Sequence, residues 1–571
     1  MDTLVIGYIF TTVLAIALVS RVASLFLTRK DLKNALTDRI NLYTIIALAA
    51  IVVFFIVFSL LYVTPIEQLY FDENIYQGIA LNILQHGNAV WCQYGTGLVQ
   101  TCFSNAIYHD LIGYPFLIAI AFGIFGVGVA TAYGLQLLIG VLSIVFMFLL
   151  ASLVFERKDA AVASTLVLAL IPQLFIWSRT QAIPDLALMT FSTATFFLFV
   201  LFAKQPKLSR FIPFASALTF TIYMRIEGIL LLPIFAILFF FYGEEGVIHT
   251  AKHRLKLLIH AINNNTKVLL ALLFFFVLIV PDLYYLSMQA ANPSYGQDYT
   301  GQQVFSIANF QNNIGSNVQF FLGTYNAVSY FPLVFPVETT ILAIIGVVLL
   351  YFSKYKNRIG LLLLPIVWIG AFHLFYDFFY AGASTFGVDD RFMLQIVPGL
   401  ALLAGFAISE IGRIAGTLSK RKLVGYAASA LVAMVLVAYP FYTLIPNITL
   451  TPSQMPQQSV IHDALGFFYA NYNSVPANCL VYSFTPDLWY EFNRSAAQIS
   501  YLGSTDPQFL NNTKSYSCKV IDYGYWCSVP PYKDTSCKGY FSSYNLVPLA
   551  THNNTAKGEN FGFYEIVNKT G

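Results

Sequence analysis

The chain has 571 residues, of which 57% are apolar and only 10% are charged. Soluble domains carry about 25% charged residues. A cytosolic enzyme, a disordered chain and a small disulfide-rich secreted protein are therefore excluded, and the composition predicts an α-helical polytopic membrane protein. The net charge of +3 gives no indication of a nucleic-acid partner, because the basic residues form small clusters between apolar runs rather than a continuous face.

Apolar runs of about 18 to 25 residues are long enough to cross a lipid bilayer as a helix. By this criterion we expect about twelve spans. They lie near 3–27, 40–63, 131–155, 160–177, 186–203, 211–224, 229–243, 267–287, 335–352, 359–376, 392–412 and 423–444. The first run lacks the basic start and the small-residue cleavage site of a signal peptide, so we expect it to remain as an extra span.

The basic residues are unevenly distributed between the loops. Six alternate loops, together with Lys267, hold 20 of the 31 Lys and Arg residues, whereas the opposite loops between spans hold only Arg179, Arg225 and Arg391. Cytoplasmic loops of membrane proteins are enriched in Lys and Arg. The loops that hold these three arginines, the long loop 64–130 and the carboxy-terminal tail are therefore predicted to be external.

The chain is expected to have three regions. They are an extra amino-terminal span with its cytoplasmic loop (1–39), a transmembrane domain (40–445) and an extracytoplasmic α/β domain (446–571). In the last region the Leu-, Ile- and Phe-rich runs give way to Tyr, Ser, Asn and Pro. The pattern there predicts a helix near 459–472, a strand at 480–484, a helix near 487–493 and a strand near 561–567.

All six cysteines fall in segments predicted to be external. They are Cys92, Cys102, Cys479, Cys518, Cys527 and Cys537. Disulfides persist in oxidising compartments, so this distribution predicts paired cystines. Cys92 and Cys102 are expected to pair with each other, and the other four allow three connectivities.

The first external loop begins with an acidic pair, Asp72 and Glu73, directly after a span. Apolar residues at intervals of three and four follow the pair, which predicts an amphipathic helix lying along the surface. Helix capping explains an acidic first turn as well as chemistry does. A second amphiphilic stretch, from Gly113 to Val129, is expected to be interfacial or re-entrant, because crossing would place Asp72 on the basic side.

Three external turns each join an arginine to a carboxylate. Arg179 precedes Asp185, Arg225 precedes Glu227, and Arg391 follows Asp390. A single such pair is explained by a surface ion pair worth about 0 to 1 kcal/mol. Because arginine on the external side runs against the positive-inside tendency, we expect the three turns to supply a binding site for an anion such as a lipid phosphate.

The order of these features resembles that of GT-C glycosyltransferases, and most closely the protein O-mannosyltransferase and lipid-A aminoarabinose transferase group. The resemblance covers roughly residues 40–410. Asp72-Glu73 with Tyr76 is similar to the acidic motif of the first loop, and Gly113-Tyr114-Pro115 is similar to the interfacial helix. The segments from Arg179 to Asp185 and from Arg391 to Pro398 resemble the two later motifs. The extra first span and the cystine of the first loop depart from the pattern.

The resemblance implies that residues 40–445 form a catalytic domain that uses a polyprenyl- or dolichyl-phosphate sugar as donor. A hexose, with mannose favoured, would pass to a hydroxyl of a protein or glycan acceptor with inversion. Asp72 is the expected base, and Glu73 would orient the sugar or a neighbouring arginine. Arg391 is the first candidate for the donor phosphate.

Five further residues are candidates, ranked after Arg391, for binding the donor phosphate or its sugar. They are Arg179, Arg225, Asp185, Glu227 and Tyr76. Asp185 is expected to position Arg179 or to help hold the sugar. No cofactor is expected, although carboxylates without His or Cys suit a hard cation such as Mg²⁺ or Mn²⁺, and the related oligosaccharyltransferases use one.

Three alternatives remain open at this stage. An oligosaccharyltransferase-like catalytic subunit is disfavoured by the short chain and by the absence of a W-W-D-Y-G run. A transporter would place its ionisable residues near the bilayer midplane and show repeated halves, and a non-catalytic assembly protein would not need converging acid–arginine pairs. The expected location is a cell membrane, or the endoplasmic reticulum membrane in a eukaryote, with an extracytoplasmic active site.

Overall fold

The structure is a computed structural model that describes most of the chain. The described residues are 3–36, 40–65, 72–96, 101–106, 112–242, 252, 255–256, 266–291, 303–323, 335–353, 358–380, 382–383, 389–421, 423–435, 456–528, 537, 539–554 and 559–567. The chain divides into two compact units. Unit 1 comprises residues 1–11, 65–132 and 450–571, and unit 2 comprises residues 12–64 and 133–449.

The helices account for most of the described chain before the tail. In order they are α1 (Thr3–Leu36), α2 (Leu42–Tyr62), α3 (Asp72–His86), α4 (Gly113–Phe125), α5 (Val129–Phe155), α6 (Lys158–Ala169), α7 (Pro172–Trp177), α8 (Pro184–Lys204), α9 (Leu208–Ile222), α10 (Leu231–Phe241), α11 (Thr266–Ala291), α12 (Ile307–Phe321), α13 (Val337–Tyr351), α14 (Arg358–Phe378), α15 (Val397–Leu418) and α16 (Leu423–Val435). Short 3₁₀ turns, Ile226–Leu230 and Asp389–Gln395, precede α10 and α15.

Seven helices within the described residues are long and apolar enough to cross a membrane. They correspond to seven of the twelve expected spans. The other five correspond to helices of 10 to 17 residues or, for 160–177, to the consecutive helices α6 and α7. Pro172 stands at the first position of α7, where the missing N–H is tolerated, and the residue before a proline is disfavoured in a helix. This explains why the apolar run breaks there.

The core of unit 2 is aromatic and tightly packed. Helix α8 is buried over the whole of its apolar window, and Phe196 on it stacks on Trp368 of α14 with ring centroids 3.8 Å apart. Helix α15 packs against α6 and α13. The approach is close: a Cβ at Gly346 would overlap the backbone of Leu403, and one at Gly405 would overlap Ser164. Small residues at these crossings let the backbones approach, as is usual between membrane helices.

Unit 1 contains a single seven-stranded sheet built from two distant parts of the chain. Its strands are β1 (Trp91–Thr96), β2 (Thr101–Ala106), β3 (Cys479–Ser483), β4 (Ser495–Gln498), β5 (Cys518–Tyr523), β6 (Asn545–Asn554) and β7 (Glu559–Val567). The order across the sheet is β2-β1-β4-β3-β5-β7-β6. The central strands β4, β3 and β5 are parallel, and the outer ones are antiparallel to their neighbours. The hairpin β1–β2 of the first external loop therefore extends the sheet of the tail.

The tail helices are short and connect the strands. They are α17 (Pro456–Asn471), α18 (Pro486–Glu491), α19 (Pro507–Asn512), α20 (Tyr525–Ser528) and α21 (Tyr540–Ser543). All four tail elements expected from the pattern are present within three residues at each end. Strands β4, β5 and β6 were not expected.

The helix that carries the acidic pair differs from expectation in its surroundings. Helix α3 begins at Asp72 as predicted, but every residue from Glu73 to Ile83 is buried. It packs against α4, β1 and α18 of the same unit. The helix is therefore covered by these neighbouring elements rather than exposed, and its position along the membrane surface stays a prediction.

Candidate functional site

Three charged side chains meet in the interior of unit 2. Nη1 of Arg225 lies 2.5 Å from Oδ1 of Asp185, and its Nε lies 2.9 Å from Oε2 of Glu227. All three residues are buried, with 7%, 1% and 1% of their surfaces exposed. One guanidinium thus bridges two carboxylates, a geometry that suits the planar fork of arginine. We call Asp185, Arg225 and Glu227 the charge cluster.

The sequence places these side chains by ordinary local rules. Asp185 is in the first turn of α8, after Pro184 at its start, where an acid interacts favourably with the helix dipole. Glu227 lies in the 3₁₀ turn that follows α9. A Cβ at Gly228 would come within 2.8 Å of Cα of Ile222. Only glycine therefore lets this turn fold back against the end of α9.

The segment that begins at Arg391 lies beside the charge cluster. The guanidinium carbons of Arg225 and Arg391 lie 5.2 Å and 4.9 Å from the ring centroid of Phe392, within the range of cation–π attraction. Phe392 also stacks on Tyr376, with centroids 5.2 Å apart. Arg391 and all three members of the cluster interact electrostatically with Tyr376. The structure thus brings Arg391 together with Asp185, Arg225 and Glu227, as the sequence predicted.

Two glutamines hold the segment that leads into Asp185. Nε2 of Gln395 donates to the main-chain oxygen of Asp185 at 2.9 Å, and Gln136 donates to the carbonyl oxygens of Trp177 and Ile183 at 2.9 and 3.1 Å. Two amides therefore hold both ends of the segment 177–185. Neither glutamine was singled out in the sequence, because amides inside apolar runs carry no distinctive spacing.

Arg179 does not form the contact expected of it. Within the described residues the carboxylate of Asp185 pairs with Arg225, whereas Nε of Arg179 is buried and has no hydrogen-bond partner. The expectation that Asp185 positions Arg179 is not what the structure shows. Six residues of sequence separation favoured that local pair, but packing of α8 against α9 brings Arg225 closer.

The acidic pair of the first external loop belongs to unit 1. Asp72 is half-buried in the first turn of α3, and Glu73 beside it is fully buried. Tyr76, one turn later, is also buried, and its ring meets that of Tyr114 of α4 edge-on at 6.0 Å. Asp72 is therefore the accessible acid of the pair.

A buried carboxyl that the sequence reasoning missed lies behind the same helix. A Cβ at Gly78 of α3 would overlap the side chain of Asp487, which begins α18. The indole Nε1 of Trp91 donates to Oδ2 of Asp487 at 3.2 Å. Burial raises the pKa of Asp487 well above its ordinary value, against the lowering effect of the Trp91 hydrogen bond. In the sequence, an acid that follows proline at a helix start is explained by a favourable interaction with the helix dipole. No sequence signal therefore singled out Asp487.

The cysteines form disulfides in unit 1. Cys479 pairs with Cys518, and Cys527 pairs with Cys537, which selects one of the three connectivities left open. Cys92 is also disulfide-bonded. The side chain of Cys102, its expected partner, lies outside the described residues, although its strand pairs with that of Cys92.

Carboxylates approach one another only in pairs in the part of the chain that the structure describes. No group of three or more His, Cys, Asp or Glu side chains there is arranged to hold a metal ion. In the charge cluster the two carboxylates are already bridged by Arg225.

A known protein family matches part of the chain. Residues 111–285, about a third of the chain, match the family model described as dolichyl-phosphate-mannose-protein mannosyltransferase. Comparison with curated protein sequences gives no match.

Solved structures resemble the chain over most of its length. Two are crystal structures of ArnT from Cupriavidus metallidurans, each with a TM-score of 0.54. In the apo state the identity is 12%, covering 92% of this chain and 97% of that one. Bound to undecaprenyl phosphate the identity is 14%, covering 92% and 98%. The archaeal oligosaccharyltransferase AglB from Archaeoglobus fulgidus has a TM-score of 0.49 at 12% identity, covering 91% and 74%.

The chain has the GT-C glycosyltransferase fold. The predicted fold class, a polytopic helical membrane protein with a small tail domain that contains a sheet, is confirmed. The predicted enzyme class is confirmed by the match of residues 111–285 to a mannosyltransferase family. The charge cluster of this GT-C chain lies entirely within the matched segment.

Proposed function

We propose that the chain transfers a hexose, with mannose favoured, from a polyprenyl or dolichyl phosphate to a hydroxyl of a protein or glycan acceptor. The supporting observation is that the segment matching a dolichyl-phosphate-mannose-dependent family contains the buried charge cluster. The similar ArnT structure with undecaprenyl phosphate supports a lipid-phosphate donor. Transfer is proposed to occur on the external face of a cell membrane, or of the endoplasmic reticulum membrane in a eukaryote.

The arginines have different roles in this proposal. Arg225 already bridges Asp185 and Glu227, so it serves as a positioning residue that holds both acids. The positive charge for the donor phosphate then comes from Arg391, which lies over Phe392, and from Arg179, whose Nε has no hydrogen-bond partner among the described residues. Negative charge grows on the leaving phosphate as the bond to the sugar breaks. A fixed arginine therefore stabilises the transition state more than the ground state.

Asp72 is proposed as the base that accepts the proton of the acceptor hydroxyl. The acceptor oxygen forms a bond to the anomeric carbon, the bond from that carbon to the phosphate oxygen breaks, and the lipid phosphate leaves with the electron pair. A neutral hydroxyl is a weak nucleophile, and a carboxylate within about 2.6 to 3.2 Å raises its reactivity as the proton leaves. Asp72 is half-buried at the start of α3, whereas Glu73 is fully buried and is proposed to orient its neighbours.

The reaction is tested with purified protein in nanodiscs and polyprenyl-phosphate hexoses that carry a radiolabelled sugar. We expect label to leave the lipid fraction most rapidly from the mannosyl donor. In a parallel reaction with a lipid-linked oligosaccharide and an asparagine-containing peptide, transfer of the whole glycan to asparagine would favour an oligosaccharyltransferase. Movement of label across the bilayer without its loss from the lipid would favour a transporter, and no reaction of any donor would contradict the proposal.

Asp72→Asn tests the base. Removing a general base costs about 10²- to 10⁴-fold in rate, and we expect a loss of this size with unchanged binding of the lipid donor. Asp506→Asn is the matched control, because Asp506 is an exposed acid of the same unit and asparagine also caps a helix well. Full activity of Asp72→Asn would show that another group accepts the proton.

A further inference from the structure

A cleft in unit 1 lies apart from every residue assigned above. It is formed at the carboxyl ends of β3 and β5, under helix α17. Its lining includes Phe467, Ser483, Phe484, Thr485, Asp522 and Trp526. Its volume is about 420 Å³ including the part open to solvent.

The topology of the sheet favours a binding site at this place. The strand that follows β3 along the chain, β4, lies on one side of it, and β5 lies parallel on the other side. Ligands of open α/β sheets bind outside the carboxyl ends of parallel strands, at the point where the strand order reverses. The cleft occupies that point.

The floor of the cleft is a connected set of polar groups. Oγ of Ser483 donates to Oδ2 of Asp522 at 2.7 Å, and the indole Nε1 of Trp489 donates to the same oxygen at 2.9 Å. The backbone N–H of Thr485 donates to Oγ of Ser483 at 3.1 Å. Burial raises the pKa of Asp522, whereas the bonds from Trp489 and Ser483 lower it. The floor thus contains a hydroxyl, a backbone amide and a carboxyl group, which suit a ligand that carries hydroxyl groups.

The walls of the cleft are aromatic. Phe467, Phe484 and Trp526 line it and are partly exposed, while Phe468 and Phe563 are buried deeper. An apolar pocket with a few convergent polar groups is typical of small-molecule sites. Aromatic faces beside hydrogen-bonding groups match a ring that has an apolar C–H face and a rim of hydroxyls.

We propose that this cleft is a saccharide-binding site, in which Phe484 and Trp526 contact the apolar face of one sugar ring and the floor of Ser483, Thr485 and Asp522 binds its hydroxyls. The occupant is one ring of a neutral glycan. The site requires neither a lipid donor nor transfer chemistry, so its test is separate from that of the proposed function.

Binding is measured by saturation-transfer difference NMR on the full chain in an amphipol, because glucoside and maltoside detergents carry sugars themselves. The probes are methyl α-D-mannopyranoside, methyl β-D-glucopyranoside and methyl α-D-galactopyranoside, with cyclohexylmethanol as a ring of similar size that lacks the rim of hydroxyls. For a ligand of this size a Kd on the order of 1 mM is expected. We expect at least one glycoside to give a saturable signal and cyclohexylmethanol to give none.

Substitutions show where on the protein the glycoside binds. Trp526→Ala and Ser483→Ala should each weaken binding by about tenfold, the size expected for losing one ring contact or one hydroxyl contact. Ser483→Ala also serves if Trp526→Ala does not fold. Tyr469→Ala is the matched control, since Tyr469 is exposed on α17 outside the cleft, and Asp72→Asn tests whether the signal arises from the proposed transfer site. Tyr469→Ala should bind as the natural chain does.

Three results would overturn the proposal. They are the absence of signal from all three glycosides, equal binding of cyclohexylmethanol, and binding unchanged in both cleft variants. The last result together with loss of the signal in Asp72→Asn would assign the sugar to the proposed transfer site instead.

Discussion

Both units bury carboxyl groups, but they satisfy them in opposite ways. In unit 2, Asp185 and Glu227 share the guanidinium of Arg225. In unit 1, Asp487 receives a hydrogen bond from Trp91, and Asp522 receives bonds from Trp489 and Ser483. These three donors are neutral. The two acids of the charge cluster therefore face a cation, whereas Asp487 and Asp522 face only neutral donors among these contacts.

Burial has different consequences for these two kinds of acid. A buried acid that faces a cation depends on that cation, because losing it leaves an uncompensated charge in a medium of low dielectric. A buried acid with neutral donors instead responds to pH, since burial raises the pKa of both Asp487 and Asp522. Removing Arg225 should accordingly lower stability through the loss of its charge, whereas substitutions at Asp487 or Asp522 should change how stability depends on pH.

The largest effect is expected from Arg225→Gln. Removing one partner of a buried ion pair costs about 3–5 kcal/mol, and here two carboxylates lose the same partner. We expect a large fall in the thermal unfolding midpoint of the protein in nanodiscs, together with loss of transfer activity, because Asp185 and Glu227 are no longer held in place.

A second set of variants distinguishes charge from shape in this cluster. Arg225→Lys keeps the charge but cannot bridge two acids as a planar fork does, so an intermediate loss is expected. Adding Asp185→Asn and Glu227→Gln to Arg225→Gln should recover part of the lost stability, because no charge is then left unpaired. If Arg225→Gln alone unfolds at the temperature of the natural chain, the cluster does not carry the stability assigned to it.

A smaller effect is expected from Trp489→Phe in unit 1. Trp489 is fully buried, and its indole N–H donates to Asp522. Leaving a buried acceptor without that donor costs about 1–3 kcal/mol, which should lower the unfolding midpoint of the protein in nanodiscs by a few degrees. Trp526→Phe is the matched control, since Trp526 is partly exposed and donates no bond to Asp522 among the described contacts. Equal midpoints for the two variants would contradict the role of Trp489.

The sequence predicted those parts of the structure that depend on local pattern. The start of α3 at Asp72, the helix α17 and the turns that carry Arg225 and Arg391 follow from spacing and composition. The proximity of Arg391 to Asp185 was also predicted, from the sidedness of arginine. These features depend on residues that are close in the sequence or on the side of the membrane at which a loop lies. Both leave a pattern that can be recognised in a single sequence.

Long-range pairing could not be predicted in the same way. The hairpin β1–β2 joins a sheet whose other strands begin at Cys479, and nothing in its residues names that partner. The packing of the hairpin and the tail against α3 also buries this helix and places Asp487 against Gly78. The pairing of Asp185 with Arg225 rather than Arg179 likewise depends on how α8 packs against α9. The boundaries predicted at 1–39, 40–445 and 446–571 stay a prediction.

The effect most specific to unit 1 is expected from Asp487→Asn. The unfolded-state pKa of an aspartate is about 3.9, and burial raises the folded-state pKa well above that. Below pH about 4 both states are protonated and the acid costs nothing. As the pH rises further, the unfolded state ionises first, so stability falls until the pH reaches the folded-state pKa.

Asparagine resembles the protonated acid in shape and cannot ionise, so this fall should be absent in the variant. The unfolding midpoint of Asp487→Asn minus that of the natural chain should therefore increase between pH 5 and pH 8, and each unit of pKa elevation corresponds to about 1.4 kcal/mol. Glu491, the nearby acid that also raises the pKa of Asp487, is left unchanged, and Asp506→Asn shows the behaviour of an exposed acid. A difference that stays constant with pH would mean that Asp487 is charged in the folded protein, and the contrast between the two units would then lie in the identity of the donor alone.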